Sequence, residues 1–174
     1  MSHAAAAASP FIIEHLLLAP PGPALDVACG GGRHALAIAA TGRRIEAIDR
    51  DVERCRALAT RARGAQLPID VACADLEHSP LPVGRYALIV NTLYLDRALA
   101  GRLARALRPG GLLLFETFTR DQLLTGHPRN PRFVLAPGEL PRLFAGLRVL
   151  AYREGPVERD GRRVHLASLA ARAP

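Results

Sequence analysis

The sequence predicts an α/β fold: a Rossmann-like, doubly wound and mostly parallel seven-stranded sheet with helices on both faces and an antiparallel C-terminal hairpin strand. The first observation behind this prediction is the alternation of short apolar runs with helical patterns between residues 24 and 116. Such alternation is typical of a parallel sheet. The second is a pair of apolar runs, at residues 147 to 152 and 164 to 169, that are joined by a polar stretch without a helix. This pair indicates a closing hairpin.

Proline and glycine separate the elements in the first half of the chain. Residues 11 to 18 predict a short helix, which a Pro-Pro-Gly-Pro stretch ends. An alanine-rich helical pattern follows the first strand and runs to Ala40, and Asp51 is placed to cap a helix over residues 52 to 62. The first strand predicted in this half begins at residue 24 and ends near Asp26, and the next two cover residues 44 to 49 and 69 to 73.

The second half begins with a continuous apolar run at residues 86 to 91, which is typical of a strand buried on both faces. A helix over residues 95 to 107 ends at a Pro-Gly-Gly turn, and a strand at residues 112 to 116 follows. Residues 119 to 138 are the longest irregular stretch, and loops of that length are usually functional or disordered. A short helix is predicted at residues 139 to 145.

Composition places limits on the class of protein. The chain has 174 residues, of which 49% are hydrophobic, so one compact domain with its own core is expected. No apolar run approaches the roughly 18 residues of a membrane span, and the first residues do not resemble a secretory signal, so we expect a cytoplasmic protein. The three cysteines have no metal-ligand spacing, and we predict reduced thiols and no metal site.

The chain is basic, with a formal net charge of +7. All 23 basic residues are arginines, and they are scattered along the sequence. Aromatic residues make up only 5% and are not interleaved with the basic ones, as they often are in nucleic-acid-binding surfaces. Nucleic acid is therefore a disfavoured partner, although it stays open as an alternative.

Three adjacent glycines after the first strand are the strongest sign of a ligand site. Gly30, Gly31 and Gly32 let the backbone turn tightly and let a ligand lie against it. The helix that follows presents unpaired N–H groups to that ligand. Asp26 adds an acceptor for a cationic or N–H-bearing group. Together these features suit a zwitterionic, nucleotide-like molecule better than a bare phosphate.

A dinucleotide site is the competing interpretation of the same loop. Residues 30 to 35 satisfy the pattern G-x-G-x-x-G/A of such sites. Pyrophosphate gains nothing from a neighbouring carboxylate, so Asp26 favours the first interpretation. A nicotinamide-dependent oxidoreductase stays open, but one with a Tyr-x-x-x-Lys catalytic pair is excluded because the chain contains no lysine.

Polar residues end the first five predicted strands, at the sheet edge where open α/β sheets bind their ligands. Asp49 lies 17 positions after Gly32, near the distance at which an acidic residue reaches the ribose of a bound nucleotide. Asp75 and Leu76 are placed to receive an adenine. The full set of strand-end residues is Asp26, Asp49, Asp75, Asn91 and Glu116.

The arrangement Asp26-x-Ala28-x-Gly30-x-Gly32 resembles motif I of the class I S-adenosylmethionine (SAM) methyltransferases, which is usually D/E-x-G-x-G-x-G. Ala28 stands in place of the first glycine. The later part of the chain is similar to the tellurite-resistance, TehB-like branch of that class. The stretches that carry this second likeness are Glu116-Thr117-Phe118, residues 126 to 131, residues 137 to 140, residues 152 to 155 and residues 163 to 169.

The resemblance implies that SAM is the cofactor. It assigns the amino group of SAM to Asp26, the sugar to Asp49 and the base to Asp75. The complete set of predicted cofactor-binding residues is Asp26, Ala28, Cys29, Gly30, Gly32, Arg33, His34, Asp49, Arg50, Asp75, Leu76, Asn91, Thr92 and Leu93.

The resemblance also implies methyl transfer to a small, soft acceptor such as a thiol or a chalcogen oxyanion. An in-line displacement of this kind mainly needs alignment and exclusion of water. A base is needed only when the acceptor carries a proton, and the candidates are Tyr94, Glu116 and His127. Residues 91 to 94 lack the Asn-Pro-Pro-aromatic motif of amino-group methyltransferases, which argues against nucleobase amines. A further hypothesis is that Arg129 and Arg132, in the long loop, bind an anionic methyl acceptor.

We therefore expect one SAM-dependent methyltransferase domain over residues 1 to 174. Residues 1 to 22 would form an N-terminal helix and linker, residues 23 to 118 the SAM-binding core, and residues 119 to 174 the substrate-side loop and hairpin. The expected partner is a small-molecule methyl acceptor, with no membrane contact. The alternatives are an RNA methyltransferase, a catalytically silent SAM-binding domain and an NAD-binding oxidoreductase.

Overall fold

A single seven-stranded sheet forms the centre of the protein. The computed structural model describes residues 7 to 174. Its strands are β1 (Ala24–Val27), β2 (Ile45–Asp49), β3 (Ile69–Cys73), β4 (Tyr86–Thr92), β5 (Leu107–Phe118), β6 (Arg148–Arg159) and β7 (Arg162–Arg172). They lie in the order β3-β2-β1-β4-β5-β7-β6. Strands β1 to β5 pair in parallel, and β7 runs antiparallel to both of its neighbours. The predicted fold class is confirmed.

Helices cover both faces of this sheet. They are α1 (Pro10–His15), α2 (Arg33–Ala39), α3 (Val52–Gly64), α4 (Arg97–Ala106) and α5 (Glu139–Leu143). Side chains of α1, α2 and α3 share one buried apolar cluster, and side chains of α4 and α5 share the other. Among the described residues, none of the helices has the length and apolarity that a membrane span requires.

Helix α3 shows how local signals in the sequence define an element. The carboxylate of Asp51 accepts hydrogen bonds from the amides of Glu53 and Arg54, which confirms the predicted N-cap. Cys55, Leu58 and Ala62 are the buried residues of the helix, and their spacing of three and four places them on one face.

Several elements have different bounds from those predicted, among them α1, α4 and β5. Helix α1 ends at His15 and continues only as a 3-10 turn over Leu16–Leu18. Helix α4 begins at Arg97, where Asp96 caps it, two residues later than expected. Strand β5 begins at Leu107, five residues earlier than expected, because the chain pairs with β4 before and after an irregularity at its Pro-Gly-Gly segment.

The polar stretch between the last two strands was predicted as a connecting segment, and this prediction is wrong. Strands β6 and β7 stay paired as far as Arg159 and Arg162, which leaves only Asp160 and Gly161 as the turn. Both turn residues have positive φ, 49° and 70°, as a tight hairpin turn requires. The arms look polar in the sequence because much of their outer part is exposed to solvent.

The long stretch at residues 119 to 138 is irregular but well anchored. It contains two 3-10 turns, Arg120–Leu124 and Pro131–Phe133. The guanidinium of Arg97 binds the carboxylate of Glu139 and donates to two loop carbonyls, those of Arg132 at 2.9 Å and Val134 at 3.0 Å. These bonds hold the end of the loop against α4.

Candidate active site

A cavity of about 870 Å³ opens at the carboxyl ends of β1, β2, β3 and β4. Its volume lies within the usual range for ligand sites. The residues that line it are Ala7, Ala8, Ala28, Cys29, Gly30, Gly31, Arg33, Leu36, Ala37, Asp49, Arg50, Arg54, Arg61, Ala74, Asp75, Leu76, Glu77, Thr92, Leu93, Tyr94 and Phe133. The sheet edge predicted to hold a ligand therefore carries the cavity.

The glycine loop forms one wall of this cavity and uses its glycines in different ways. A Cβ on Gly31 would meet nothing within 4 Å, so this residue faces open space. A Cβ on Gly32 would lie 2.3 Å from Cδ1 of Leu58, so this residue packs against α3 instead. Ala28, which replaces the usual first glycine of the motif, has a φ of 50°. The preference for glycine at that position follows from this left-handed backbone.

Asp49 joins the glycine loop to the end of β2. Its Oδ2 accepts a hydrogen bond from the amide of Gly30 at 2.7 Å, and its Oδ1 accepts one from the amide of Asp51 at 2.9 Å. The side chain is largely buried but still forms part of the cavity wall. Each carboxylate oxygen has a second lone pair, so Asp49 can also accept hydrogen bonds from ligand hydroxyls.

Asp26, by contrast, does not line the cavity. Strand β1 continues to Val27, and the Asp26 carboxyl lies beneath the loop, where it accepts a hydrogen bond from the amide of Ala35 at 3.0 Å. Burial raises its pKa from 3.8 to about 7. In this structure Asp26 therefore fastens β1 to the beginning of α2, and the geometry does not bring it to a ligand amino group.

Replacing Asp26 with asparagine is expected to change how stability depends on pH. Because the pKa is raised in the folded state, the folded protein keeps a proton that the unfolded chain releases, so stability falls as pH rises from about 4 to about 7. Asparagine can accept the same amide bond without this cost. At pH 8 the variant should be more stable than the wild type by up to about 4 kcal/mol, and below pH 4 the two should be similar.

Urea unfolding at pH 4 and pH 8 measures this difference. Buried His34 has the opposite effect, since its lowered pKa costs stability as pH falls below 6.5, but it is present in both proteins and cancels. The exposed carboxylate of Asp70 offers a control, Asp70→Asn. Equal destabilisation of the Asp26→Asn variant at both pH values would contradict the prediction.

His34 acts behind the cavity wall rather than on it. Its Nε2 accepts a hydrogen bond from the amide of Ser9 at 3.0 Å, so the ring proton is on Nδ1, which donates to Oγ1 of Thr92 at 3.1 Å. Burial, together with Arg33 and Arg159, lowers the pKa of His34 to about 3 and keeps the ring neutral. The hydroxyl proton of Thr92 is then free to be donated into the cavity.

The opposite wall comes from the segment after β3. Asp75 accepts a hydrogen bond from the amide of Glu77, which is the main cause of its lowered pKa, so it is ionised at neutral pH. Arg102 of α4 donates to the carbonyls of Leu76, at 2.7 Å, and of Ser79. These bonds fix the position of the carboxylate and of the apolar Leu76 side chain beside it.

The segment after β4 supplies the end of the cavity where Tyr94 lies. Asn91 is buried below the wall, and its Nδ2 donates to the carbonyl of Tyr94 at 2.7 Å. Leu93 has a φ of 58°, an uncommon conformation for a residue with a branched side chain. The half-buried Tyr94 lines the cavity, and burial raises the pKa of its hydroxyl.

The other two candidate bases do not line the cavity. Glu116 is buried under the hairpin, where its Oε1 accepts from Arg159 at 3.2 Å and its Oε2 accepts from the hydroxyl of Ser168 at 2.9 Å. His127 lies in the exposed part of the long loop. Arg129 and Arg132 are also exposed and do not line the cavity, to which the loop contributes only Phe133.

Ten of the fourteen predicted cofactor residues lie on the cavity wall, and four lie behind it. Those on the wall are Ala28, Cys29, Gly30, Arg33, Asp49, Arg50, Asp75, Leu76, Thr92 and Leu93. Those behind it are Asp26, Gly32, His34 and Asn91. These four residues share one kind of role. Each forms a hydrogen bond or packs on the protein side of the segments that make up the wall.

Several lining residues were not predicted. Arg54 and Arg61 are seven positions apart on α3, which places them on one side of the helix, and Arg61 donates to the carbonyl of Gly31 at 3.1 Å. Helical spacing from Arg33 could have indicated Leu36 and Ala37. Nothing local indicates Phe133, because a tertiary fold is needed to bring it to the cavity.

The chemistry of the wall suits SAM. Asp49 offers acceptors for sugar hydroxyls, and Asp75 beside apolar Leu76 suits an adenine. Open space next to Gly31 leaves room for a ligand against the backbone. Around the mouth, the exposed arginines Arg54 and Arg61 are bound to Asp51 and to the carbonyl of Gly31 respectively.

A sequence model described as a methyltransferase domain matches residues 24–111, which is half of the chain. The matched region contains β1 to β4, α2 to α4 and every lining residue except Ala7, Ala8 and Phe133. No curated protein sequence matches the chain significantly.

Solved structures with similar folds have low sequence identity to the chain. TehB from Haemophilus influenzae is 21% identical with a TM-score of 0.80, and the match covers 94% of this chain but only 61% of TehB. A SAM-dependent methyltransferase from Methanosarcina mazei is 19% identical with a TM-score of 0.76, covering 96% of this chain and 98% of the other.

A third similar structure is geranyl diphosphate C-methyltransferase from Streptomyces coelicolor A3(2), in complex with Mg²⁺, geranyl diphosphate and S-adenosyl-L-homocysteine. It is 18% identical with a TM-score of 0.73, and the match covers 94% of this chain and 78% of the other. At these identities the three structures support the fold of the chain.

Proposed function

The chain belongs to the methyltransferase domain family, and from this premise we propose that it transfers a methyl group from SAM to a small-molecule acceptor. The fold and the family make it a class I SAM-dependent methyltransferase. The observation that carries the proposal is the single cavity that Asp49, the glycine loop and Asp75 line together. We infer one domain, with the cofactor side in residues 23 to 118 and the acceptor side in residues 119 to 174.

Each part of the wall has its own role in holding the cofactor. Asp49 accepts the sugar hydroxyls while its bond to the Gly30 amide keeps the loop in register with β2. Asp75 and Leu76 hold the base. The loop backbone and the hydroxyl of Thr92 bind the amino-acid end, with His34 orienting Thr92 from behind.

The acceptor side is inferred from Tyr94, Phe133 and Arg33. When bound, SAM supplies an electrophilic methyl group on a sulfonium. Tyr94 and the half-exposed Phe133 place aromatic surface on the cavity wall, and the half-buried guanidinium of Arg33 favours an anionic acceptor. Such an acceptor needs to be aligned with the methyl donor more than it needs to be activated.

The protonation state of the candidate base on the cavity wall supports a methyl acceptor that is nucleophilic without losing a proton. Of the three candidate bases only Tyr94 lines the cavity, and its raised pKa keeps the hydroxyl protonated at neutral pH. Thiolates and chalcogen oxyanions need no base, so they fit this site better than neutral alcohols or amines. The names of the similar structures indicate varied acceptors, from geranyl diphosphate to a disulfide converted into a thioacetal, so the fold alone does not select among acceptors.

Calorimetry followed by methyl transfer tests the proposal. The purified protein should bind SAM and S-adenosylhomocysteine but not NAD. With methyl-labelled SAM it should transfer label to at least one member of a panel of thiols, selenite, tellurite and phenols. Binding without transfer to any acceptor would favour a silent SAM-binding domain, and binding of NAD alone would overturn the assignment.

RNA methylation is the second candidate, supported by the net charge of +7 and by exposed Arg50, Arg54 and Arg61 around the cavity mouth. An RNA arm in the same assay separates the two functions. Salt-sensitive RNA binding together with labelled RNA would favour this alternative. A cytoplasmic location is part of either proposal.

A further inference from the structure

Two of the three cysteines lie together beside the cavity. Cys55 is buried on α3, and Cys73 is the exposed last residue of β3, paired in register with Asp49. The Sγ of Cys55 lies 3.4 Å from the carbonyl of Asp49 and 3.7 Å from that of Ala72. The Sγ of Cys73 lies 3.6 Å from the carbonyl of Arg50. The two thiols therefore contact the last residue of β2 and the residue that follows it.

We propose that Cys55 and Cys73 form an oxidant-responsive dithiol site, which hydrogen peroxide closes into an intramolecular disulfide behind the cofactor cavity. The two sulfurs lie against consecutive backbone carbonyls, Cys55 against that of Asp49 and Cys73 against that of Arg50, and both residues belong to elements that pack on the same side of the sheet. Solvent and small oxidants reach Cys73 directly, whereas Cys55 is protected until its neighbour has reacted.

The reaction proceeds in two displacements. The Cys73 thiolate attacks one oxygen of peroxide, so that an S–O bond forms, the O–O bond breaks and the departing hydroxide is protonated to water. Cys55, as it loses its proton, then attacks the sulfenic sulfur of Cys73. The S–S bond forms, the S–O bond breaks, and the hydroxide leaves as a second water. Two thiols and one peroxide thus yield one disulfide and two waters, and peroxide is the species reduced.

Exposure decides the order of these steps. Burial, followed by the adjacent Cys73 thiol, raises the pKa of Cys55, so Cys55 carries little thiolate and is a poor first target. Reaction of Cys73 removes the neighbouring thiol and provides an electrophilic sulfur at the site. Cys55 is then the nearest thiol to resolve it.

Closure of this disulfide should weaken binding of the cofactor, a consequence that rests on the proposed function. The neighbours of the two cysteines, Arg54 and Ala74, both line the cavity, and Asp49 lies between them. A cross-link between α3 and the end of β3 would constrain the positions of these residues. We expect affinity for SAM to fall about fivefold or more, the lower end of typical coupling between linked sites.

Mass spectrometry of the full chain tests the dithiol. After treatment with stoichiometric peroxide, the intact protein should lose about 2 mass units and regain them with dithiothreitol. Peptide mapping should join Cys55 to Cys73, and pepsin is the suitable protease because trypsin would cut at Arg54 and Arg56. The variant Cys29→Ser should still form the cross-link, and Cys73→Ser should not.

Three results would overturn the proposal: stable gain of oxygen on Cys73 without a cross-link, a cross-link that joins Cys55 to Cys29, or disulfide-linked dimers. Cys55→Ala provides a second variant that abolishes the cross-link if Cys73→Ser folds poorly. The cross-link is measured independently of the cofactor. If it forms in a protein that binds no SAM when reduced, the dithiol stands and the proposed function fails.

Discussion

Replacing Asp49 with alanine is expected to weaken SAM binding by about 100-fold or more. The substitution removes the acceptor for the Gly30 amide and for the Asp51 amide, as well as the acceptor proposed for the sugar hydroxyls. Hydrogen bonds to a charged group contribute about 1.5 to 3 kcal/mol each, and about 1.4 kcal/mol corresponds to a tenfold change in affinity. Loss of the sugar contact and loosening of the glycine loop together account for the expected factor.

Asp51 provides a matched control in the same turn. Asp51→Ala removes the N-cap of α3 and should cost about 1 kcal/mol of stability, but Asp51 reaches the cavity only through its exposed ion pair with Arg54, so affinity should change far less than in Asp49→Ala. Calorimetric titration of both variants with SAM, alongside urea unfolding, separates binding from stability. If Asp49→Ala bound SAM as tightly as the wild type, Asp49 would have no role in the site.

Replacing Gly32 with alanine is expected to destabilise the protein by about 2 to 5 kcal/mol. Gly32 has a φ of 75°, a left-handed conformation that costs other residues about 1 to 2 kcal/mol. The added methyl group would lie 2.3 Å from Cδ1 of Leu58, which is itself fully buried. Overpacking of this kind adds typically about 1 to 3 kcal/mol.

The adjacent Gly31 provides a matched control for this substitution. Gly31→Ala introduces the same methyl group where nothing lies within 4 Å, so the protein should fold with nearly wild-type stability. Urea unfolding of the two variants measures the difference. Truncating the obstacle in a Gly32→Ala, Leu58→Ala double variant should make the two changes less than additive. Equal stability of the two single variants would show that the loop adapts and that the packing is not restrictive.

The sequence predicted the part of the site that depends on local signals. The glycines, the Asp51 cap and the acidic residue after β2 are all defined within a few positions, and the structure brings the loop, Asp49 and Asp75 to one cavity. The role of Asp26 could not be predicted from such local signals. Its position in the motif is clear from the sequence, but whether a carboxyl faces a ligand or an amide of α2 depends on where β1 ends.

Other features depend on residues far apart in the chain. Glu116 looked like a free strand-end carboxylate, but Arg159 of the hairpin, 43 positions later, pairs with it. The hairpin was predicted, but the length of its two strands was missed because their outer parts alternate too little and carry many charged residues, as solvent-exposed strands often do. Phe133 lies on the long loop, whose end is held against α4 by Arg97, a residue 36 positions earlier in the chain.

The relay from Ser9 through His34 to Thr92 connects two distant parts of the chain through one neutral ring. A ligand atom that accepts a hydrogen bond from the Thr92 hydroxyl would polarise all of the hydrogen bonds in this row. The electronic environment of the Ser9 amide proton would change, although this proton lies on the far side of the imidazole from the ligand. Its nuclear magnetic resonance frequency would therefore serve as a natural indicator of occupancy, without any label in the cavity itself.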